Sequence, residues 1–148
     1  MNNVKSVSVP LASHFKLSSS LCPNTNEEKE YMSRIPYANV VGCLMYAMVC
    51  TRPYISHAVG VVSRYMANMG KEHWSTVKWV LWYLRGTSDY CITYNSGCEL
   101  VCGYVDYDFA GDLDKRKSTS GYVFTLAGEA ISWMSKLQNI VALSTTEA

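Results

Sequence analysis

The stretch from Lys71 to Tyr94 reads KEHWSTVKWVLWYLRGTSDYCITY, and it contains the change of pattern that decides the fold. Up to Gly86 the apolar residues Trp74, Val77, Val80, Leu81 and Leu84 recur at three- and four-residue intervals, which places them on one face of a helix from about Lys71 to Leu84. Gly86 suits the C-terminal stop. Beyond it, DYCITY at 89–94 is a short β-rich run, so a helical period gives way to a strand period within a few residues. The opposite face of the helix carries Lys71, Ser75, Lys78, Trp82 and Arg85. This basic stripe can track a phosphate backbone, with Trp82 available for stacking, or it can be an ordinary solvated face.

Upstream, two more helices are expected. From Pro36 onward Val40, Val41, Leu44, Met45 and Met48 share a face, and Thr51-Arg52-Pro53 then gives a stop and a restart, since proline suits the first turn of a helix. In the helix that follows, Ile55, Ala58, Val59, Val62, Tyr65 and Met66 form the buried stripe, and Asn68-Met69-Gly70 closes it. Residues 1–30 are rich in Ser, Asn and Lys, carry Pro10 and Pro23 as breakers, and read as an extended tether. Downstream of 89–94, further β-rich runs occupy 99–106, 120–126, 130–135 and 140–143. The final Ser144-Thr145-Thr146-Glu147-Ala148 looks like a helix N-terminus. The expected fold class is α+β, divided into a tether (1–30), a helical segment (31–88) and a β segment (89–148).

Composition agrees with a globular chain. Of 148 residues 49% are hydrophobic and 17% charged, which excludes disorder, and the length excludes a large multidomain enzyme. No apolar run approaches the roughly 18 to 20 residues that cross a bilayer, and the N-terminus lacks the apolar core of a signal peptide. The expectation is a soluble intracellular protein, in cytoplasm or nucleus, that is neither secreted nor a membrane partner. The net charge of +1 hides an asymmetry: residues 1–88 carry nine Lys plus Arg and four Glu, whereas 89–148 carry four Lys plus Arg and eight Asp plus Glu. A basic half suits a polyanionic partner, and an acidic half suits a solvated face or a cation site.

Candidate chemistry is sparse. Six cysteines show no CxxC pair and no zinc-ligand spacing, so they read as free and mostly packed thiols. His14, His57 and His73 give no nucleophile–histidine or metal-ligand spacing, and there is no Walker loop or dinucleotide fingerprint. Asp106 and Asp108 stand two apart at the end of a strand, so their carboxylates share a face and can hold a magnesium ion, or else belong to a polar loop. Asp112 and Asp114, followed by Lys115, Arg116 and Lys117, read as a solvated turn.

Two long runs are nevertheless recognisable. YANVVGCLMYAMVCTRPYISHAVGVVSRYMANMGKEHWSTVKWVLWYLRGT, Tyr37 to Thr87, resembles the segment that follows the reverse transcriptase palm in copia-type LTR retrotransposon Pol polyproteins. GYVDYDFAGDLDKRKSTSGYVFTLAGEAISWMSKLQNIVALSTTEA, Gly103 to Ala148, resembles the start of their ribonuclease H domain, and SVPLASHFKL before the helices fits as well. The resemblance implies a thumb- or connection-like helical unit that grips a template–primer duplex, followed by a truncated ribonuclease H-like antiparallel sheet. It implies RNA-directed DNA polymerase and hybrid-cleaving activity for the whole polyprotein, with an RNA/DNA hybrid or duplex and the rest of that polyprotein as partners. In ribonuclease H, four carboxylates hold two magnesium ions. Asp106 in GYVDYDFAG matches the first of them, while Glu147 matches the glutamate before the catalytic one in STTEAEY. One carboxylate of four does not build a two-metal site, so this chain is expected to be catalytically inactive and to hold magnesium weakly.

Some positions depart from the family pattern. Tyr54 stands where TRPDI has Asp, Met69 where Pro is usual, Trp82 where the stripe has Arg, Tyr107 where Ser is common and Glu129 where a turn Gly is common. Two alternatives to a Pol fragment stay open: a non-catalytic nucleic-acid-binding module using Lys71, Lys78, Arg85 and Trp82, and a decayed reading frame without a selected function. With only part of a ribonuclease H sheet present, one face and one edge of that sheet are expected to lie open.

Overall fold

The structure, a computed structural model, describes residues 7–94 and 100–148. Among the described residues there are four α-helices and one three-stranded antiparallel sheet, a mixed α+β architecture. The chain divides into two compact units, Met1–Tyr90 and Cys91–Ala148.

The first unit is helical. Helix α1 (Asn26–Ser33) starts where Thr25 accepts a bond from the Glu28 amide at 3.2 Å, while the Glu28 carboxylate reaches back to the Asn24 amide. Glu27 and Glu28 lie in the first turn and complement the helix N-terminus, so the last residues of the expected tether are helical. Helix α2 (Tyr37–Thr51) follows Pro36 and buries Tyr37, Val41 and Leu44. A single 3-10 turn at Pro53–Ile55 leads into α3 (Ser56–Ser63), and α4 (Lys71–Gly86) completes the set. Ile55, Ala58, Val59 and Val62 meet Val77 and Val80 in one continuous core, with Val40, Met45, Met48, Trp74, Leu81 and Leu84 packed at its margin.

Several expectations about this unit need correction. Helix α3 ends at Ser63 and the backbone runs on through i to i+3 bonds as far as Asn68, so Tyr65 stays buried but Met66 turns outward, 37% exposed. The face of α4 that packs inward is wider than its apolar stripe, because His73, Thr76 and Tyr83 are buried with Val77 and Val80. Residues 7–30 are not an extended tether. Leu17 is buried in the core, Val7, Leu11 and Cys22 pack against it, and the indole of Trp79 donates to the Val9 carbonyl at 2.9 Å. His14 and Phe15 stand edge-on to the Trp79 ring at 5.6 and 5.5 Å. A polar composition concealed a few apolar side chains spaced so that a loose strand can anchor on a helix.

The second unit is an antiparallel meander in the order β1 (Val101–Asp108), β2 (Thr119–Leu126), β3 (Glu129–Leu137). Ala127 and Gly128 both take positive φ, the geometry of a tight two-residue hairpin turn, and Glu129 begins β3 opposite Leu126. Glu129 therefore lies in the strand and not in the turn. The Phe124 ring lies over Gly103, its partner across β1 and β2, where a Cβ would come within 2.7 Å of it. Neither 91–94 nor 140–143 forms a strand, Asp89 and Tyr90 are turn and coil, and Glu99, which opens the expected run 99–106, lies outside the described residues. The C-terminal residues make a single turn in place of a helix, with the Glu147 carboxylate accepting from the Leu143 amide at 2.9 Å.

Candidate nucleic-acid interface and carboxylate pair

Helix α4 owes its length to straight-chain and aromatic residues without an internal breaker, and its C-terminus is secured from outside. The Arg52 guanidinium donates to the carbonyls of Thr87 at 2.7 Å and Ser88 at 3.2 Å, placing a cation where the helix dipole is negative. Tyr54, which replaces the Asp of the family pattern, bonds to the same guanidinium through its hydroxyl and packs edge-on against Tyr83 at 5.8 Å.

Along this helix the stripe reads as follows. Lys71 and Arg85 are exposed, Lys78 and Trp82 half-buried. Fourteen residues at 1.5 Å each separate the two ends by about 21 Å, close to six base pairs of duplex. The Lys71 ammonium lies 6.0 Å from the centre of the Tyr31 ring, on α1. Trp82 leans on Trp79 with ring centres 6.3 Å apart, so it is part of a small aromatic group with Phe15 and His14 rather than an isolated stacking platform.

Asp106 and Asp108 belong to the second unit. Both are exposed on β1, on one face of it, opposite Gly121 and Thr119 of β2. Their carboxylates are engaged locally. Asp106 accepts from the amide of Tyr107 at 2.9 Å, and Asp108 is turned over the backbone of Gly111, within 1.7 Å of where a Cβ there would lie. Tyr107 points to the other face of the strand. Asp112 is not a solvated turn residue: it is only 4% exposed and accepts from the Lys115 amide at 2.8 Å, while its own backbone bonds to Lys117 and Arg116. It organises the β1–β2 loop, with Ala110 and Arg116 at positive φ.

Magnesium, which the resemblance implies, requires several oxygen ligands converging on one point. Among the described residues no group of three or more His, Cys, Asp or Glu side chains is gathered, and the two carboxylates of β1 are aimed at their own backbone. These residues alone do not fit a two-metal centre.

His73 is fully buried at the first turn of α4 with both ring nitrogens bonded to backbone, a role that a histidine beside a tryptophan does not announce. Cys43, Cys50 and Cys91 are exposed, where the sequence suggests packed thiols. Among the described residues no helix is long and apolar enough to cross a membrane.

Several known proteins are similar to this chain. Over its whole length the chain is 61% identical to the retrovirus-related Pol polyprotein from transposon TNT 1-94 of Nicotiana tabacum, of which it covers 11%. It is 40% identical over 152 residues to the corresponding polyprotein from transposon RE2 of Arabidopsis thaliana, of which it covers 10%. It is also 46% identical over 117 residues, 78% of this chain, to the secreted RxLR effector protein 161 of Plasmopara viticola, covering 82% of that protein. No family model and no solved structure matches. The chain spans about a tenth of the length of the Pol polyproteins it matches. The likeness runs from the first residue to the last, so that across the helices and the sheet alike the chain is similar to one stretch of the retrovirus-related Pol polyproteins of plant transposons.

Proposed function

We propose that this segment joins the end of a reverse transcriptase to the beginning of a ribonuclease H domain, and that its helical unit holds an RNA/DNA hybrid or duplex by the backbone. The observation that carries this reading is the correspondence with Pol polyproteins over both units. Two features support it. The stripe of Lys71, Lys78 and Arg85 along α4 has the charge and reach for phosphates, and Trp82 adds an aromatic edge. The meander presents Asp106 on an exposed strand face, the position matched to the first ribonuclease H carboxylate.

As a separate polypeptide the 148 residues should bind without cutting, because Asp106 alone of the four carboxylates is matched and one carboxylate does not build a two-metal site. The test is hybrid binding over a salt series, together with a cleavage assay in magnesium. Binding should weaken with salt. Replacing Lys71, Lys78 and Arg85 by Gln should flatten the slope of log K against log salt by roughly 2 to 3. Binding that ignores salt defeats the interface, and hybrid cleavage abolished by Asp106→Asn defeats the inactivity.

A second reading, a free-standing binding module, draws on the relative of which the match occupies 82%. In it the same stripe acts without any polyprotein, so the isolated chain should bind as tightly as one extended by the flanking Pol sequence.

A further inference from the structure

His73 occupies the third position of α4 and is 0% exposed. Its Nδ1 accepts from the Gly70 amide at 2.8 Å, and its Nε2 lies 3.2 Å from the Ser18 carbonyl. A carbonyl only accepts, so Nε2 carries the proton and Nδ1 has none. The ring is the neutral tautomer, fixed by two backbone groups 52 residues apart in sequence (18 and 70). The Tyr65 ring stacks on it at 4.0 Å.

The same junction ties the N-terminal segment down. Cys22 donates its thiol to the Asn68 carbonyl, and the Leu21 carbonyl lies where a Cβ on Gly70 would fall, 1.9 Å away. Tyr65 at the exit of α3, Tyr37 on α2 and Cys22 on the N-terminal segment surround this corner. Arg64 closes α3, while Lys71 and Glu72 are exposed on the first turn of α4.

We propose that His73 is an acid-sensitive latch that holds residues 7–22 against α4 and releases them when it is protonated. A proton on Nδ1 takes the lone pair that receives the Gly70 amide, and it places a buried positive charge at the positive end of a helix. The released segment exposes a ring that binds the proton freely, so the docked state is favoured at high pH and loses ground as pH falls. Below the ordinary histidine value of about 6.5, each pH unit lowers the ratio of docked to released chain about tenfold. What is released is the covering of Trp79, on the helix that also bears the basic stripe.

The test is amide hydrogen exchange and ring 15N NMR on the full chain between pH 7.5 and 5.0, with His73→Gln as comparison, since Gln can accept from Gly70 and donate to Ser18 without titrating. In the wild type the protection factor of the Gly70 amide should fall about tenfold per unit below pH 6.5, while Val41 and Val62 amides stay protected. In His73→Gln the profile should be flat. An imidazolium ring with Gly70 still protected overturns the latch, as do parallel losses at Val41 and Val62 or identical profiles in both chains. If the variant does not fold, the wild-type ring shifts against Gly70 protection decide the matter.

Discussion

The Arg52 guanidinium reaches the carbonyl of Thr87 at 2.7 Å, so the residue that separates α2 from α3 also closes the end of α4. Arg52→Ala removes this bond, the one to Ser88 and the contact with the Tyr54 hydroxyl. The expected loss is about 2 to 3 kcal/mol, as for hydrogen bonds to a charged group. Arg52→Lys should recover only part of it, because one ammonium cannot reproduce a planar fork. Denaturant midpoints at constant m-value are the measurement, and an Ala variant as stable as the parent refutes the role.

Gly70→Ala places a methyl group 1.9 Å from the Leu21 carbonyl oxygen. Backbone φ at Gly70 is −106°, which any residue adopts, so the whole penalty comes from the collision. A loss above about 2 kcal/mol is expected, together with weaker docking of the N-terminal segment. Faster proteolysis within residues 11–21 of the folded variant checks the second part.

Tyr37 is buried and its hydroxyl donates to the Val62 carbonyl at 2.8 Å. Burial, with Tyr65 and Cys22 nearby, pushes its ionisation well above the ordinary tyrosine range. The folded state therefore holds a proton that the unfolded chain releases near pH 10. Stability from this group is fully present below that pH and is lost as pH rises above it. Tyr37→Phe should cost about 1 kcal/mol at pH 7 and flatten the alkaline limb of the stability curve. Parent and variant falling in parallel between pH 9 and 11 would exclude Tyr37 as the source.

Much of the helical unit is legible because burial follows a single period. Val41 and Leu44, Ala58 and Val62, Val77 and Val80 could be placed from spacing alone, and all of them are buried. The failures share a cause, namely partners far away in sequence. Ser18 is 55 residues from His73, and Val9 is 70 from Trp79, so no local pattern marks either. The run DYCITY has strand composition, yet no strand forms there, and Tyr94 instead donates its hydroxyl to the Ala130 carbonyl. Asp112 is not distinguished by its sequence, because ahead of a basic run a carboxylate that caps a loop and one that faces water look alike. The strand that carries Asp106 is legible from its composition, whereas the turn of Asp108 over Gly111 depends on a loop conformation that no motif carries.

Asp106→Asn should leave the fold unchanged within about 0.5 kcal/mol, since the side chain is exposed and bonds only to the following amide. Asp112→Ala should cost the second unit about 1 to 2 kcal/mol through the uncapped loop. Thermal unfolding of the pair shows which of the two carboxylates the fold depends on. An Asp106→Asn chain that unfolds markedly earlier would assign that carboxylate to the fold.

The meander has a consequence for synthesis. Its strands pair only with their neighbours in sequence, so each hairpin can close as soon as it leaves the ribosome, with little loop entropy lost. The N-terminal segment has no such freedom, because Val9 must wait for Trp79, seventy residues later. The first residues made in the helical unit are thus among the last to settle, and a nascent chain halted before α4 would carry them exposed to chaperones and proteases.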